Sequence, residues 1–264
     1  MWQINESTFG PMLVVDGEPP AAPGALIRSC ELLNVFRQPE SASGRALVEG
    51  LCRSFATVIV TDVTWRGVEF IEESSALREL DFWPQPERAP DVPPTSGLRA
   101  FAGYRFPEWR SLRLHPGIEG LHLEGGDFSW VEGTPWHLTR LSLTQARKVQ
   151  AIPDVPQLRG LQELQIHGSP RLDARSLGQM RDLRSVEFAT VRSLVLPEEW
   201  PSRMRMDTLV LEQVREVENA SALLEAPIDQ IRIIARGRPP FDDDLLAAAR
   251  RSTRPRWVGK GFDV

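Results

Sequence analysis

The residues best suited to metal or acid–base chemistry are two histidines and two glutamates. His122, Glu124, Glu163 and His167 fall on predicted strands, and imidazole and carboxylate groups are ordinary zinc ligands. The two histidines are two predicted strands apart, which separates their backbones by ~10 Å. Their side chains would have to converge to ~2.1 Å from one ion. A metal-dependent enzyme is therefore one of three function classes kept open, while the favoured prediction has no metal, no cofactor and no catalytic residue.

Other chemical motifs have simpler structural interpretations. Gly125-Gly126-Asp127 is typical of a turn after a strand, and Asp242-Asp243-Asp244 is typical of an acidic helix start. The chain contains no G-x-S-x-G, no phosphate-binding glycine loop, no Rossmann fingerprint and no H-E-x-x-H.

The remaining cysteines and histidines also favour structural roles. Cys30 and Cys52 are too few for a disulfide framework. Cys30 occupies a core position of the first predicted repeat, where we expect a buried thiol. His115 and His137 fall outside the predicted strands, and we expect both on the surface.

All these residues are positioned by an apolar pattern, L-x-x-L-x-L, that recurs ten times. The clear copies are Leu77-Leu80-Phe82, Ile118-Leu121-Leu123, Leu138-Leu141-Leu143, Leu161-Leu164-Ile166, Leu183-Val186-Phe188, Met206-Leu209-Leu211 and Ile228-Ile231-Ile233. The weaker copies are Ile27-Cys30-Leu32, Phe55-Val58-Val60 and Leu98-Phe101-Gly103. After a first step of 28 residues, the middle positions advance by 20 to 23 residues. A fixed period of this length is typical of a solenoid.

Each copy predicts one strand, because alternate side chains of a strand share a face. Stacked copies would pair their strands in parallel and form one continuous core. The predicted fold is an α/β solenoid, an arc of about ten parallel strands with short helical, 3-10 or extended Pro-rich outer limbs. An amino-terminal cap (1–26), the repeats (27–240) and a carboxy-terminal cap (241–264) make up the predicted domains.

The outer limbs differ from repeat to repeat. Helical spacing predicts a helix over Ser43–Phe55, and helical turns over Ala174–Met180 and Ser221–Glu225. The Pro-rich stretch 83–94 resembles a linker in composition, but the period continues across it, which predicts an extended limb. Acids at the start and arginines at the end of 241–251 predict a final helix, and the segment from Pro255 predicts a last strand or turn.

These copies resemble those of leucine-rich repeat proteins over about Ile27 to Ala235, and the opening 7–15 is similar to the start of bacterial members. The resemblance implies a horseshoe whose inner sheet recognises other proteins. Members usually carry Asn or Cys just beyond the motif, to hydrogen-bond the turn. Here the equivalent residues are Gly126, Ala146, Ser169, Val191 and Val214, so the turns must be satisfied in another way.

Composition narrows the function classes. The formal net charge is −5, and no basic cluster follows one face of the repeats, which disfavours nucleic acid as a partner. No run approaches eighteen apolar residues, so we expect no membrane span. The start of the chain lacks the pattern of a secretory signal. We expect a cytoplasmic protein, monomeric by itself.

The favoured site is the predicted concave face of the sheet, made by the residues that alternate with the apolar copies. Its candidate partner-binding residues are Glu79, Asp81, Trp83, Tyr104, His122, Glu124, Arg140, Glu163, His167, Glu187, Glu212 and Arg232. Acids outnumber bases there, and Trp83 and Tyr104 are expected to be neighbours on adjacent strands. This combination suits a protein with a basic surface, for example a toxin enzyme neutralised by an immunity or inhibitor protein.

Two alternatives stay open beside this non-enzymatic interaction module. Polar residues on one side of a sheet also arise simply because that side is solvated. A scaffold or adaptor subunit of a larger complex would instead use the Trp-rich outer side, if those side chains form an exposed apolar patch. The tryptophans outside the strand positions are Trp65, Trp109, Trp130, Trp136 and Trp200.

Overall fold

A computed structural model describes residues 1–8, 10–104 and 109–259 of the chain. It divides into two compact units, Met1–Ile118 and Glu119–Val264. Phe9, within the opening stretch 7–15, and residues 260–264, within the predicted carboxy-terminal cap, lie outside the described residues. In the part of the chain that is described, no helix is long and apolar enough to cross a membrane.

The first unit is built on a mainly parallel sheet. Its strands are β1 (Gln3–Ser7), β2 (Gly10–Asp16), β3 (Leu32–Arg37), β4 (Thr57–Val60), β5 (Glu79–Phe82) and β6 (Ala100–Tyr104). β1 and β2 are antiparallel, and each later strand to β6 pairs in parallel with the strand before it. The helices of this unit are α1 (Gly24–Arg28), α2 (Ala42–Ser54), α3 (Glu69–Glu73) and α4 (Arg110–Leu114). α2 confirms the helix predicted over 43–55.

The core of the first unit follows the predicted register. Val58, Leu80 and Phe101 are paired across β4, β5 and β6, and all three are buried. Gly103 pairs with Phe82, where a side chain is excluded because a Cβ would come within 2.3 Å of the Phe82 carbonyl oxygen. The stretch 83–94 forms no helix or strand, which agrees with the extended limb expected from its prolines.

The first weak copy, Ile27-Cys30-Leu32, is wrong. Its first residue lies in α1, and Cys30 is half-buried rather than a core residue. The residue of β3 that pairs with Val58 is Leu33, which is fully buried. The true step is therefore 25 residues, and Glu31, which the copy placed on the open side of the sheet, precedes the strand.

The second unit contains a larger parallel sheet and a small one. In chain order its strands are β7 (Gly120–Glu124), β8 (Arg140–Thr144), β9 (Glu163–His167), β10 (Arg171–Asp173), β11 (Ser185–Ala189), β12 (Ser193–Val195), β13 (Met206–Glu212), β14 (Glu216–Glu218), β15 (Ile228–Ile234) and β16 (Arg256–Gly259). The larger sheet has the order β7-β8-β9-β11-β13-β15-β16, and the small sheet has the order β10-β12-β14. The helix α5 (Asp243–Arg251) and 3-10 helices over Phe128–Trp130, Pro156–Leu158, Arg175–Gln179 and Ala220–Leu224 complete the unit.

The six clear copies in this unit are in register. Leu121, Leu141, Leu164, Val186, Leu209 and Ile231 form one continuous row of paired residues, each buried. The small sheet is an addition that the sequence pattern does not reveal. It begins a few residues after the larger strands and buries Leu172 and Leu194.

The turns after five strands of the larger sheet share one backbone conformation. Gly125, Gln145, Gly168, Thr190 and Gln213 all have positive φ, between 49° and 85°. For four of them the N–H group donates to the last carbonyl of the next strand, at 2.7 to 2.9 Å, as in Thr190 to Glu212. The residues that follow, at the positions where an Asn or Cys was expected, are buried. Left-handed backbone thus satisfies these turns without an Asn ladder.

The predicted helix ends are also confirmed. Asp242 caps α5, its carboxylate accepting from the N–H of Leu245 at 2.7 Å, and the next two acids lie in the first turn. β16 pairs in parallel with β15 at the edge of the sheet. The helical turns predicted over Ala174–Met180 and Ser221–Glu225 are present, as the 3-10 helices Arg175–Gln179 and Ala220–Leu224.

Candidate functional site

The candidate residues lie in two groups, one in each unit. In each group they alternate with the buried residues of the strands and are exposed or half-buried. The first open face consists of Asn34, Thr57, Ile59, Thr61, Glu79, Asp81, Trp83, Ala100, Ala102 and Tyr104. The second open face consists of His122, Glu124, Arg140, Ser142, Thr144, Glu163, Gln165, His167, Ser185, Glu187, Thr208, Val210, Glu212, Gln230 and Arg232.

An aromatic pair marks one end of the first open face. Trp83 directly follows β5, and Tyr104 ends β6. Their rings meet edge to face, with centroids 5.6 Å apart and planes at 88°. Tyr104 is 41% exposed, and Trp83 is half-buried. The prediction that these two side chains are neighbours is confirmed. Part of their aromatic surface is exposed and accessible to a partner.

Asp81 lies beside this pair in an environment unsuited to a lone charge. Its neighbours in register are Ile59 on β4 and Ala102 on β6, neither of which can hydrogen-bond through its side chain. Among the described residues, its carboxylate has no hydrogen-bond or ion-pair partner. Burial, and secondly the charge of Glu79, raises the pKa of Asp81 to about 6.

Next to the first open face is a cavity that sequence reasoning missed. It lies at the carboxyl ends of β3 and β4, has a volume of about 480 Å³, and is lined in part by Phe36, Thr61 and Val63. Phe36 is 59% exposed and Val63 is 68% exposed. The incorrect first copy hid Phe36, because it placed the strand three residues too early.

Asp62 hydrogen-bonds two of the residues that line this cavity. It is 7% exposed, and its carboxylate accepts from the N–H groups of Gln38 at 2.7 Å and Thr64 at 2.8 Å, and from the Thr64 hydroxyl at 2.6 Å. Burial acts to raise the pKa of Asp62, but these hydrogen bonds together lower it below its usual value. Asp62 is therefore a satisfied structural carboxylate, unlike Asp81.

The second open face is more evenly charged. Arg140 and Glu163 are paired neighbours on β8 and β9, so opposite charges face each other there. Glu124 accepts a hydrogen bond from the Gln145 side chain. Glu212 is half-buried on β13, and Arg232 is exposed on β15.

His167 and Glu187 are in close contact on the second open face. Nε2 of His167 lies 3.0 Å from Oε1 of Glu187, although the angle is not that of a hydrogen bond. Burial, helped by His167, lowers the pKa of His122, and Glu124 opposes that shift. No group of three His, Cys, Asp or Glu side chains within 1–8, 10–104 and 109–259 is arranged to hold a metal ion.

Four of the five tryptophans of the outer limbs are core residues. Trp65, Trp109, Trp130 and Trp136 are at most 2% exposed, and Trp200 is half-buried. Trp109 packs on Phe101, with ring centroids 5.0 Å apart, and Trp130 packs on Trp136 at 6.1 Å. The exposed apolar patch on which the scaffold alternative depends is therefore not formed by these four side chains.

His115, expected on the surface, is 1% exposed, whereas His137 is exposed as expected. Nδ1 of His115 accepts from the N–H of Gly117 at 3.1 Å, so Nε2 carries the proton and lies 2.9 Å from the Ser96 hydroxyl oxygen. The ring thereby ties the turn before residue 118 to the preceding limb, a structural role.

No protein-family model matches the chain, and no curated protein sequence matches it.

Proposed function

We propose that this chain is a leucine-rich repeat-like module that binds another protein and catalyses no reaction itself. The binding surface is the first open face, and the partner presents a basic surface to it. The observation that carries the proposal is the exposed Trp83–Tyr104 pair beside the carboxylate of Asp81, which has no ion-pair partner among the described residues. Aromatic side chains anchor protein interfaces, and complementary charge directs the approach and selects the partner.

Charge favours the first open face over the second. Glu79 and Asp81 are the only charged members of the first open face, so its sign is uniformly negative. In the second, Arg140 and Arg232 offset part of the charge of four glutamates. A basic partner therefore gains most from the first open face, and the second provides additional polar contacts.

A specific form of the proposal is an immunity or inhibitor protein for a basic toxin enzyme. An acidic, aromatic surface can cover a positively charged substrate groove without any chemistry of its own. The proposal places the protein in the cytoplasm, where free thiols such as those of Cys30 and Cys52 persist. It also treats the protein as a monomer before it meets its partner.

The test is capture of the partner followed by measured affinity. Wild type and a Glu79→Ala, Asp81→Ala, Trp83→Ala, Tyr104→Ala variant are used to capture proteins from the native host, and the captured protein is purified and titrated calorimetrically. We expect the variant to bind at least ~30-fold more weakly, since loss of several interface anchors costs over 2 kcal/mol. A control variant, Glu49→Ala with Leu114→Ala, changes one acid and one exposed apolar residue on helices. Equal affinity of wild type and the fourfold variant would show that the partner binds elsewhere.

A further inference from the structure

We propose that the first open face and the adjoining cavity recognise an extended segment of the partner through two anchors, an arginine and an apolar side chain three positions away. This inference rests on the proposed function and specifies what the partner must present. The arginine binds at Asp81 and the Trp83–Tyr104 pair. The apolar side chain enters the cavity between Phe36 and Val63.

The arginine anchor follows from the shape of the surface beside Asp81. Ile59 and Ala102 flank the carboxylate in register, and the side chain of Ala102 is only a methyl group. The Trp83–Tyr104 pair lies on the same face, two residues further along the same two strands. A planar guanidinium bonds a carboxylate through two N–H groups and stacks on an aromatic face at the same time, which an ammonium group cannot do.

The apolar anchor follows from the cavity. Two apolar side chains that line it, Phe36 and Val63, are more than half exposed. The two cations of the lining are already engaged, since Nε of Arg37 lies 2.8 Å from Asp16 and Arg45 donates to the Glu40 carbonyl at 2.6 Å. A volume of about 480 Å³ is ample for a leucine-sized side chain.

The separation of the anchors sets the spacing in the partner. Phe36 lies in β3 and Trp83 directly follows β5, so two strand spacings, ~10 Å, separate them. A segment in the polyproline II conformation advances ~3.1 Å per residue with three residues per turn, so side chains three positions apart lie on the same side and cover about this distance. The segment therefore crosses the strands with the pattern arginine-x-x-apolar or its reverse.

The experiment uses two acetylated, amidated tetrapeptides, Leu-Ser-Ser-Arg and Arg-Ser-Ser-Leu, titrated to millimolar concentration into the full ¹⁵N-labelled chain. Three control peptides replace arginine by citrulline, replace leucine by glycine, or place the two anchors next to each other. We expect one of the two tetrapeptides to shift the Trp83 indole and the Val63 amide signals. Citrulline removes the charge but keeps the shape, and we expect ~10-fold weaker binding, the effect of a lost charge-assisted hydrogen bond.

Variants assign each anchor. Asp81→Asn should weaken the arginine peptide ~10-fold and leave the citrulline peptide unchanged, and Glu87→Gln is its control. Phe36→Ser should weaken the leucine peptide and leave the glycine peptide unchanged. Leu114→Ser is the control, since Leu114 is 70% exposed on α4 and outside the cavity.

Several results would overturn the two-anchor inference. One such result is that no NMR signal shifts at millimolar peptide. Another is that the citrulline peptide binds as tightly as the arginine peptide. A third is that the peptide with adjacent anchors binds as tightly as the peptide with anchors three positions apart. Shifts at Phe36 and Trp83 that depend on protein concentration alone would identify a second copy as the occupant. If the captured partner loses affinity for the fourfold variant but not for Asp81→Asn or Phe36→Ser, the inference fails while the proposed function stands.

Discussion

Trp83 and Tyr104 meet edge to face on neighbouring strands, with their ring centroids 5.6 Å apart. This geometry places the positive edge of one ring against the negative face of the other, which is the favoured arrangement of an aromatic pair. It also holds Trp83 half-exposed, whereas the tryptophans of the outer limbs other than Trp200 are buried.

Trp83 should therefore dominate the emission that acrylamide can quench, together with Trp200. We expect the double variant Trp83→Phe, Trp200→Phe to lose most of the quenchable component of tryptophan fluorescence. Trp109→Phe, as the control, should remove emission that is hardly quenched. Strong quenching that survives in the double variant would mean that outer-limb tryptophans are accessible after all.

Asp81→Asn should stabilise the protein near neutral pH. The pKa of Asp81 is raised from its ordinary value of 3.8 to about 6, so at pH 7.5 the folded state carries a charge that burial disfavours. We expect a gain of about 1–2 kcal/mol in the free energy of unfolding, below what the full shift would give because the side chain keeps some contact with water.

The pH dependence of this gain has a definite sign. The folded state binds the Asp81 proton more tightly than the unfolded state, so the penalty grows as pH rises from about 4 to 6. The gain from Asp81→Asn should therefore vanish near pH 4, as measured by urea unfolding at both pH values. Glu87→Gln serves as the exposed control, and an equal gain at both pH values would contradict the explanation.

Thr190→Gly should also stabilise the protein, for a backbone reason. Thr190 has φ of 55° after β11, and a β-branched residue is strained in this region. Relief of that strain exceeds the entropy that glycine adds to the unfolded chain, so we expect a gain of ~0.5–1 kcal/mol in thermal unfolding. Thr144→Gly, in the extended last position of β8, should instead destabilise. A loss in both variants would show that Thr190 is not strained.

Asp62→Ala should destabilise by ~2–3 kcal/mol, because it leaves the N–H groups of Gln38 and Thr64 without their acceptor. The pKa of Asp62 is lowered, so its contribution is present above pH 3.8 and is lost as pH falls below that value. Asp229→Ala breaks an exposed ion pair with Arg254 and should cost well under 1 kcal/mol. Similar urea midpoints for the two variants would contradict the role given to Asp62.

The register of the main sheet in each unit could be predicted because it depends only on the spacing of apolar residues. Alternate apolar residues at a regular step determine which side of each strand is buried, and Leu141 and Leu164 follow this rule. The first copy failed because Ile27, Cys30 and Leu32 have the right spacing while α1 occupies their start. Adjacent leucines at 32 and 33 made the choice of the buried residue ambiguous.

The exposure of side chains outside the strands could not be predicted in the same way. Trp109 and His115 are buried by packing against residues distant in sequence, which a local pattern does not contain. The small sheet was missed because strands of three residues are too short to show alternation. The position of Asp81 was predicted, but its apolar surroundings were not, because they depend on Ile59 and Ala102 together.

The left-handed turns of the second unit also have a practical meaning for protein engineering. In four of the five turns the positive-φ N–H group donates to a main-chain carbonyl of the next strand, so for this bond a transplanted repeat needs no matching polar side chain in its neighbours. A duplicate of the segment from β9 to β11 is thus a natural unit for lengthening this sheet. Glycine would be the preferred residue at the position of Thr190, where the added segment connects.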